Sequence, residues 1–227
     1  MLDAVTAFID RYGAMLWNET LSTLLMTGVA TLFAYILGVP LGVLLVITHP
    51  KGLWPHRVFN QVLSWIVNIF RSLPFIILIV LLFPATKLIV GTKLGVRGAI
   101  VPLIIAAAPF VARMVESSLS EVDAGVIEAA QSMGATVRQI VLKVYLPEAL
   151  PSLTLGASIS IISILAYTAI AGAVGAGGLG DVAVRYGYHR SEPSVLIVTA
   201  LLLIVIVQVI QTLFNFLART IDKRVRK

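Results

Sequence analysis

From Thr20 to Thr48 the sequence runs for 29 residues without one charged side chain, and such a stretch has few ways to fold in water. A helix needs about 20 residues to cross a hydrocarbon core roughly 30 Å thick. Four further apolar stretches follow: 58–86, interrupted only by Arg71; 98–112, which carries Pro102 and Pro109; 149–180; and 194–218. Only 12% of the chain is charged, against about 25% in ordinary soluble domains. The pattern predicts an all-α membrane protein with about five transmembrane helices, at 20–48, 58–83, 98–115, 152–172 and 194–218. One polar loop, about 116–150, separates the third and fourth, and the whole chain 1–227 is expected to form a single transmembrane domain.

Charge placement predicts orientation. With five spans, the N-terminal side carries Arg11, Lys87, Lys93, Arg97, Arg185 and Arg190, while the other carries Lys51, Arg57, Arg113, Arg138, Lys143 and the tail Arg219, Lys223, Arg224, Arg226 and Lys227. The positive-inside rule puts the second set in the cytoplasm, with the N-terminus outside and the C-terminus cytoplasmic. The acidic and basic residues at the start, Asp3, Asp10 and Arg11, do not form a cleavable leader, so the first span is expected to do the targeting. The net charge of +6 is concentrated in the tail, which reads as an orientation signal beside anionic lipid rather than a nucleic-acid face.

Several chemistries find no support. The chain has no cysteine for a disulfide, a thiolate metal site or a nucleophile. His49, His56 and His189 lack metal-ligand spacing. There is no G-x-x-x-x-G-K-[ST] phosphate cradle. Gly175–Gly180 satisfies G-x-G-x-x-G but follows a membrane-length apolar run rather than a short strand, so it reads as a tight loop. Gly38, Pro40 and Gly42 read as a site of close helix packing.

The polar loop is patterned. Asp123 is a plausible N-cap for a helix carrying Val126, Ile127, Ala129 and Ala130, and Gly134 stands where a left-handed C-terminal residue belongs. Thr136 and Gln139 fit a capping box that opens a second helix, expected to run to Pro147. The result is a compact knob whose apolar side needs a partner or a lipid surface.

The stretch EAAQSMGATVRQIVLKVYLP resembles the EAA signature of bacterial ATP-binding-cassette importer permeases. Glu128, Ala129, Ala130, Gly134, Leu146 and Pro147 match it, and Val144 stands where isoleucine is usual. The segments NIFRSLPFIIL, AIVPLIIAAAPFVARMVE, LPEALPSLTLGASISII and AGAVGAGGLG are similar to those of methionine importer permeases, over roughly residues 17–218. The resemblance implies a type I importer fold in the bacterial inner membrane, with two copies of the chain forming the pathway. It also implies uptake of L- and D-methionine by alternating access. A cytoplasmic pair of ABC ATPase subunits would dock on the EAA residues and bind the ATP and magnesium, leaving this chain a non-enzymatic permease without a cofactor. An extracytoplasmic methionine-binding protein would deliver the substrate.

The same pattern fits a permease for another amino acid or a small peptide. An ATP-independent secondary transporter fits less well, because Asp and Glu are absent between Thr20 and Met114 and no intramembrane carboxylate is available for proton coupling. Within the spans, Arg71 with the nearby Pro74, and Pro109 with Arg113 at the end of the third, mark a polar pathway or a structural irregularity. Ser163 and Tyr167, with Ser158, Ser160 and Thr168, are cavity-lining hydroxyls or hydroxyls bonded to their own backbone.

Overall fold

The structure is a computed structural model that describes residues 2–222; the basic tail from Lys223 lies outside the described residues. Among the described residues all regular structure is helical: α1 Leu2–Ile47, α2 Arg57–Ser72, α3 Phe75–Val90, α4 Gly95–Ser120, α5 Ala124–Ser132, α6 Val137–Ile140, α7 Leu146–Glu148, α8 Leu150–Ala171, α9 Gly178–Val182 and α10 Pro193–Ile221. Three π-helical turns join them: Val141–Tyr145, Gly172–Ala176 and Ala183–Tyr188. α1, α4, α8 and α10 are long and apolar enough to span a membrane, and α2 with α3, bent by 100° between them, is apolar enough for a fifth, broken span or a re-entrant loop.

Several sequence boundaries need correction. α1 starts at Leu2 rather than near 20, because its first part is held by packing: Tyr12 and Leu16 are buried against Leu179, Val182 and Val195. The second span is not one helix. Leu73 and Pro74 are extended (φ −80°, ψ 125° and φ −57°, ψ 133°), since proline disfavours helical geometry in the residue before it. α3 then continues through Pro84 to Val90. α4 passes both Pro102 and Pro109 and ends at Ser120, so the helix that carries Arg113 continues through the first residues of the polar segment. Nor does the helix stop at Pro147. A π-helical turn at Val141–Tyr145 precedes it, and such widening accommodates a residue that has no N–H to donate and crowds the preceding turn. Arg185 lies in a helical turn, not an open loop.

The chain clusters into two compact units. One comprises residues up to Leu32, Pro74–Ile104 and Ile161–Val209; the other comprises Phe33–Leu73, Ile105–Ser160 and the chain from Ile210. In the first, Met26, Leu78, Leu103, Ile164 and Leu179 form part of a dry interior. The N-terminus of α9 is closed by α1: the Gly178 N–H donates to the Glu19 carboxylate at 2.6 Å, and the Leu179 N–H to Thr23 Oγ1 at 2.8 Å. In the second unit α1 lies directly on α4. A Cβ on Gly38 would stand 2.7 Å from Val111, and one on Gly42 would stand 2.6 Å from the Ala112 carbonyl. The small-residue pair around Pro40 therefore serves close packing, as its spacing indicates.

Candidate functional site

α5 is closed at both ends by its own sequence. The Asp123 carboxylate accepts from the Gly125 and Val126 N–H groups at 2.8 and 3.4 Å. At the other end Gly134 adopts φ +77°, a left-handed conformation that glycine enters without steric cost. The Gly134 N–H then reaches the Gln131 carbonyl at 2.9 Å and the Ala135 N–H reaches Ala130 at 3.1 Å, the paired bonds of a Schellman motif. α6 opens at once: the Thr136 N–H donates to Gln139 Oε1 at 2.8 Å and the Gln139 N–H returns to Thr136 Oγ1 at 3.4 Å. Ile140, buried to 1% exposure, pins the second helix to the interior. Two short helices that would be marginal alone are thus fixed by caps and by one anchor.

The matched residues divide by direction. Glu128, Ala129, Gly134 and Pro147 are exposed, Leu146 is half-buried and Ala130 is buried. Ala129 is therefore the alanine free for an outside surface, while Ala130 is small because it packs inward. Around them Val126, Met133, Val137 and Leu142 are exposed, Met133 to 81%. Together they form an apolar rim around a carboxylate. Beside it opens a cavity of about 410 Å³, where Glu128, Gln131 and Glu116 meet His49, Lys51 and Tyr145. Burial raises the Tyr145 phenol above its ordinary value.

The intramembrane candidates separate in the same way. Arg71 sits exposed in the last turn of α2. Pro74 caps α3, and Pro109 is buried inside α4. Tyr167 is half-buried and stacks on Phe75 with ring centroids 4.8 Å apart, which marks it as packed. Ser163 is half-buried. Ser160 and Thr168 donate to the Gly156 and Leu165 carbonyls at 2.8 and 2.6 Å, the backbone reading of these hydroxyls.

Two features were not apparent from the apolar runs. Arg113 joins α4 to α2: its guanidinium donates to Glu116 at 2.5 Å, to Ser64 Oγ at 2.5 Å, to the Ser64 carbonyl at 3.2 Å and to Asn68 at 2.9 Å. Four acceptors make it a structural clamp. The second feature is α2 itself. Its polar residues Arg57, Asn60, Gln61, Ser64, Asn68, Arg71 and Ser72 fall, at about 100° per residue, within an arc of about 120°. Val58, Val62, Trp65, Ile66 and Ile69 are exposed on the remaining surface. That spacing is visible in the sequence, but the high apolar content of the run masks it. Among the described residues no cluster of three His, Cys, Asp or Glu side chains could hold a metal.

The chain resembles known proteins in sequence and in fold. Residues 34–227 match the family described as binding-protein-dependent transport system inner membrane component. The chain is 50% identical over 210 residues to the probable D-methionine transport system permease protein MetI of Vibrio cholerae, covering 92% of this chain and 93% of that protein. It is 47% identical over 209 residues to the methionine import system permease protein MetP of Bacillus subtilis, covering 92% and 94%. Among solved structures, a chain of the MetNI methionine ABC transporter in an inward-facing conformation superposes with a TM-score of 0.93 at 45% identity, covering 94% of this chain and 99% of that one.

Proposed function

The chain belongs to the family of binding-protein-dependent transport system inner membrane components, and from that premise we infer that it is the permease subunit of an ATP-binding-cassette importer that carries methionine across the membrane. The observation that carries this reading is the agreement of relatives named for methionine transport, about half identical over nine-tenths of both chains, with a fold matching a methionine transporter subunit. The chain is a permease and not an enzyme; ATP is used by a separate ATPase subunit.

The finer reading concerns partners and direction. The EAA segment lies on the cytoplasmic side and seats in a cleft of the ATPase subunit. Ala129 and Gly134 let the partner surface approach, Glu128 accepts hydrogen bonds or a cationic side chain from it, and Met133 with Val126 and Val137 supplies apolar contact. Leu146 and Pro147 join the segment to α8, so a displacement of the segment is passed into a membrane span. Two copies of the chain flank the solute path. ATP closes an ATPase pair, the two EAA segments approach one another, and the spans repack to face an extracytoplasmic methionine-binding protein. No bond is made or broken in this chain; its work is a shift between two packings, driven by the different affinities of the ATPase states for nucleotide. The N-terminus is outside and the C-terminus is cytoplasmic, and the whole chain acts as one transmembrane domain of the bacterial inner membrane.

The test is reconstitution. The chain co-expressed with its ATPase is expected to purify as a complex and, in proteoliposomes with the binding protein, to accumulate labelled L- and D-methionine only when ATP is present. Competition by unlabelled methionine but not by other amino acids fixes the substrate. Accumulation without ATP, or indifference to methionine, would refute the reading.

A further inference from the structure

The amphipathic character of α2 poses a question the permease role leaves open. Its polar arc lies in a segment whose other face exposes Val58, Val62, Trp65, Ile66 and Ile69, as a lipid-facing surface does. Part of the arc is used inside the chain: Asn60 donates to the Leu45 carbonyl and to Thr48 at 2.7 and 3.1 Å, and Ser64 and Asn68 accept from Arg113. Along the same arc Gln61, Arg71 and Ser72 are exposed, as is Asn68 beside its bond to Arg113. Arg71 stands about 20 Å of helix beyond Arg57, far from the charged residues Lys51 and Arg57 that mark the near end.

A guanidinium within a hydrocarbon core costs at least about 2.5 kcal/mol on insertion scales and requires an anion or water. Among the described residues none makes a hydrogen bond or ion pair with Arg71. Nor does the neighbouring sequence supply one: Asp and Glu are absent between Thr20 and Met114, and Glu116 is already engaged by Arg113 at 2.5 Å. The guanidinium is therefore free to meet an anion from outside the chain, and the arc that presents the cation also carries carboxamide and hydroxyl groups suited to a zwitterion.

Resting on the importer reading, we propose that the exposed residues of the polar arc of α2, Gln61, Asn68, Arg71 and Ser72, line the aqueous solute path, and that the Arg71 guanidinium is the transient ligand of the α-carboxylate of the passing amino acid. Recognition there is of the carboxylate, common to all amino acids, which leaves side-chain selection to the delivering protein. Such a contact must be weak, since a solute held tightly in mid-path does not leave.

The absence of cysteine permits a direct test on the assembled importer in proteoliposomes. Single substitutions Gln61→Cys and Ser72→Cys are expected to react with membrane-impermeant thiosulfonates. Val62→Cys, Ile66→Cys and Ile69→Cys are expected to stay unlabelled. At Ser72→Cys an anionic reagent should react at least about threefold faster than a cationic one of similar size, through the field of the neighbouring charge. Adding Arg71→Gln should bring that ratio near one while labelling persists. In uptake, Arg71→Gln should lower kcat about tenfold with KM unchanged, because KM is set by the delivering protein, and Arg71→Lys should recover part of the loss. Labelling without helical periodicity would overturn the path assignment. A charge preference or an uptake rate unaffected by Arg71→Gln would overturn the carboxylate role. ATP-driven methionine uptake by the unsubstituted chain, measured in the same preparation, separates these failures from a failure of the importer reading itself.

Discussion

Gly134 offers a perturbation in which folding and function are expected to part company. At φ +77° a residue with a Cβ pays about 1–2 kcal/mol for the left-handed conformation, whichever side chain follows. A Cβ built there meets nothing within 4 Å, so no clash inside the chain adds to that cost. Gly134→Ala and Gly134→Leu should therefore destabilise the solubilised protein about equally, by a few degrees in Tm. Gly134→Asn, which tolerates the left-handed region better, should do so less. The variants should diverge in ATP-driven methionine uptake, where a partner surface meets the new side chain. Alanine is expected to retain most of the rate and leucine to lose more than about tenfold, with membrane insertion intact. If Leu and Ala variants transport alike, or if uptake merely follows Tm across the series, Gly134 serves only its turn and the docking assignment fails.

Further outcomes follow from the packing. Arg113→Met leaves Glu116, Ser64 and Asn68 without their donor and should cost about 2–4 kcal/mol in denaturant or thermal unfolding; Arg113→Lys, lacking the planar fork, should recover only part of it. Gly42→Val places carbon against the Ala112 carbonyl and Val115 and should abolish stable expression, whereas Gly28→Ala, with nothing within 4 Å, should change stability by less than about 1 kcal/mol. Thr23→Ala removes a cap bond to Leu179 and should cost about 1 kcal/mol. Burial raises the Tyr145 phenol; the unfolded chain then ionises first, so stability falls as pH rises past about 10, and Tyr145→Phe should flatten that alkaline limb of a pH–Tm profile.

Five apolar runs, the capped knob and the spacing of its matched residues were legible because they are local. Membrane crossing follows from run length and caps from residue types a few positions apart. The Gly38–Gly42 pair could be assigned to packing for the same reason, since a small residue without a φ requirement has little other use. The break at Leu73–Pro74 was hinted at by proline alone. Prolines at 84, 102, 109 and 147 carried the same hint, yet the chain stays helical there, so residue type did not discriminate. Neighbouring packing did, because a missing N–H bond is tolerated where helices are held by partners on other faces.

What the sequence determined by itself is the solvent of this protein, the helical class and the design of the EAA segment, each a consequence of short-range pattern. Only the tertiary structure decided that Ala129 faces outward while Ala130 is buried, that Arg113 clamps α4 to α2, and that Glu19 and Thr23, more than 150 positions away in sequence, close the end of α9. Those facts depend on which surfaces meet. Burial and hydrogen-bond partners between distant segments are properties of the packed whole, which no local periodicity encodes.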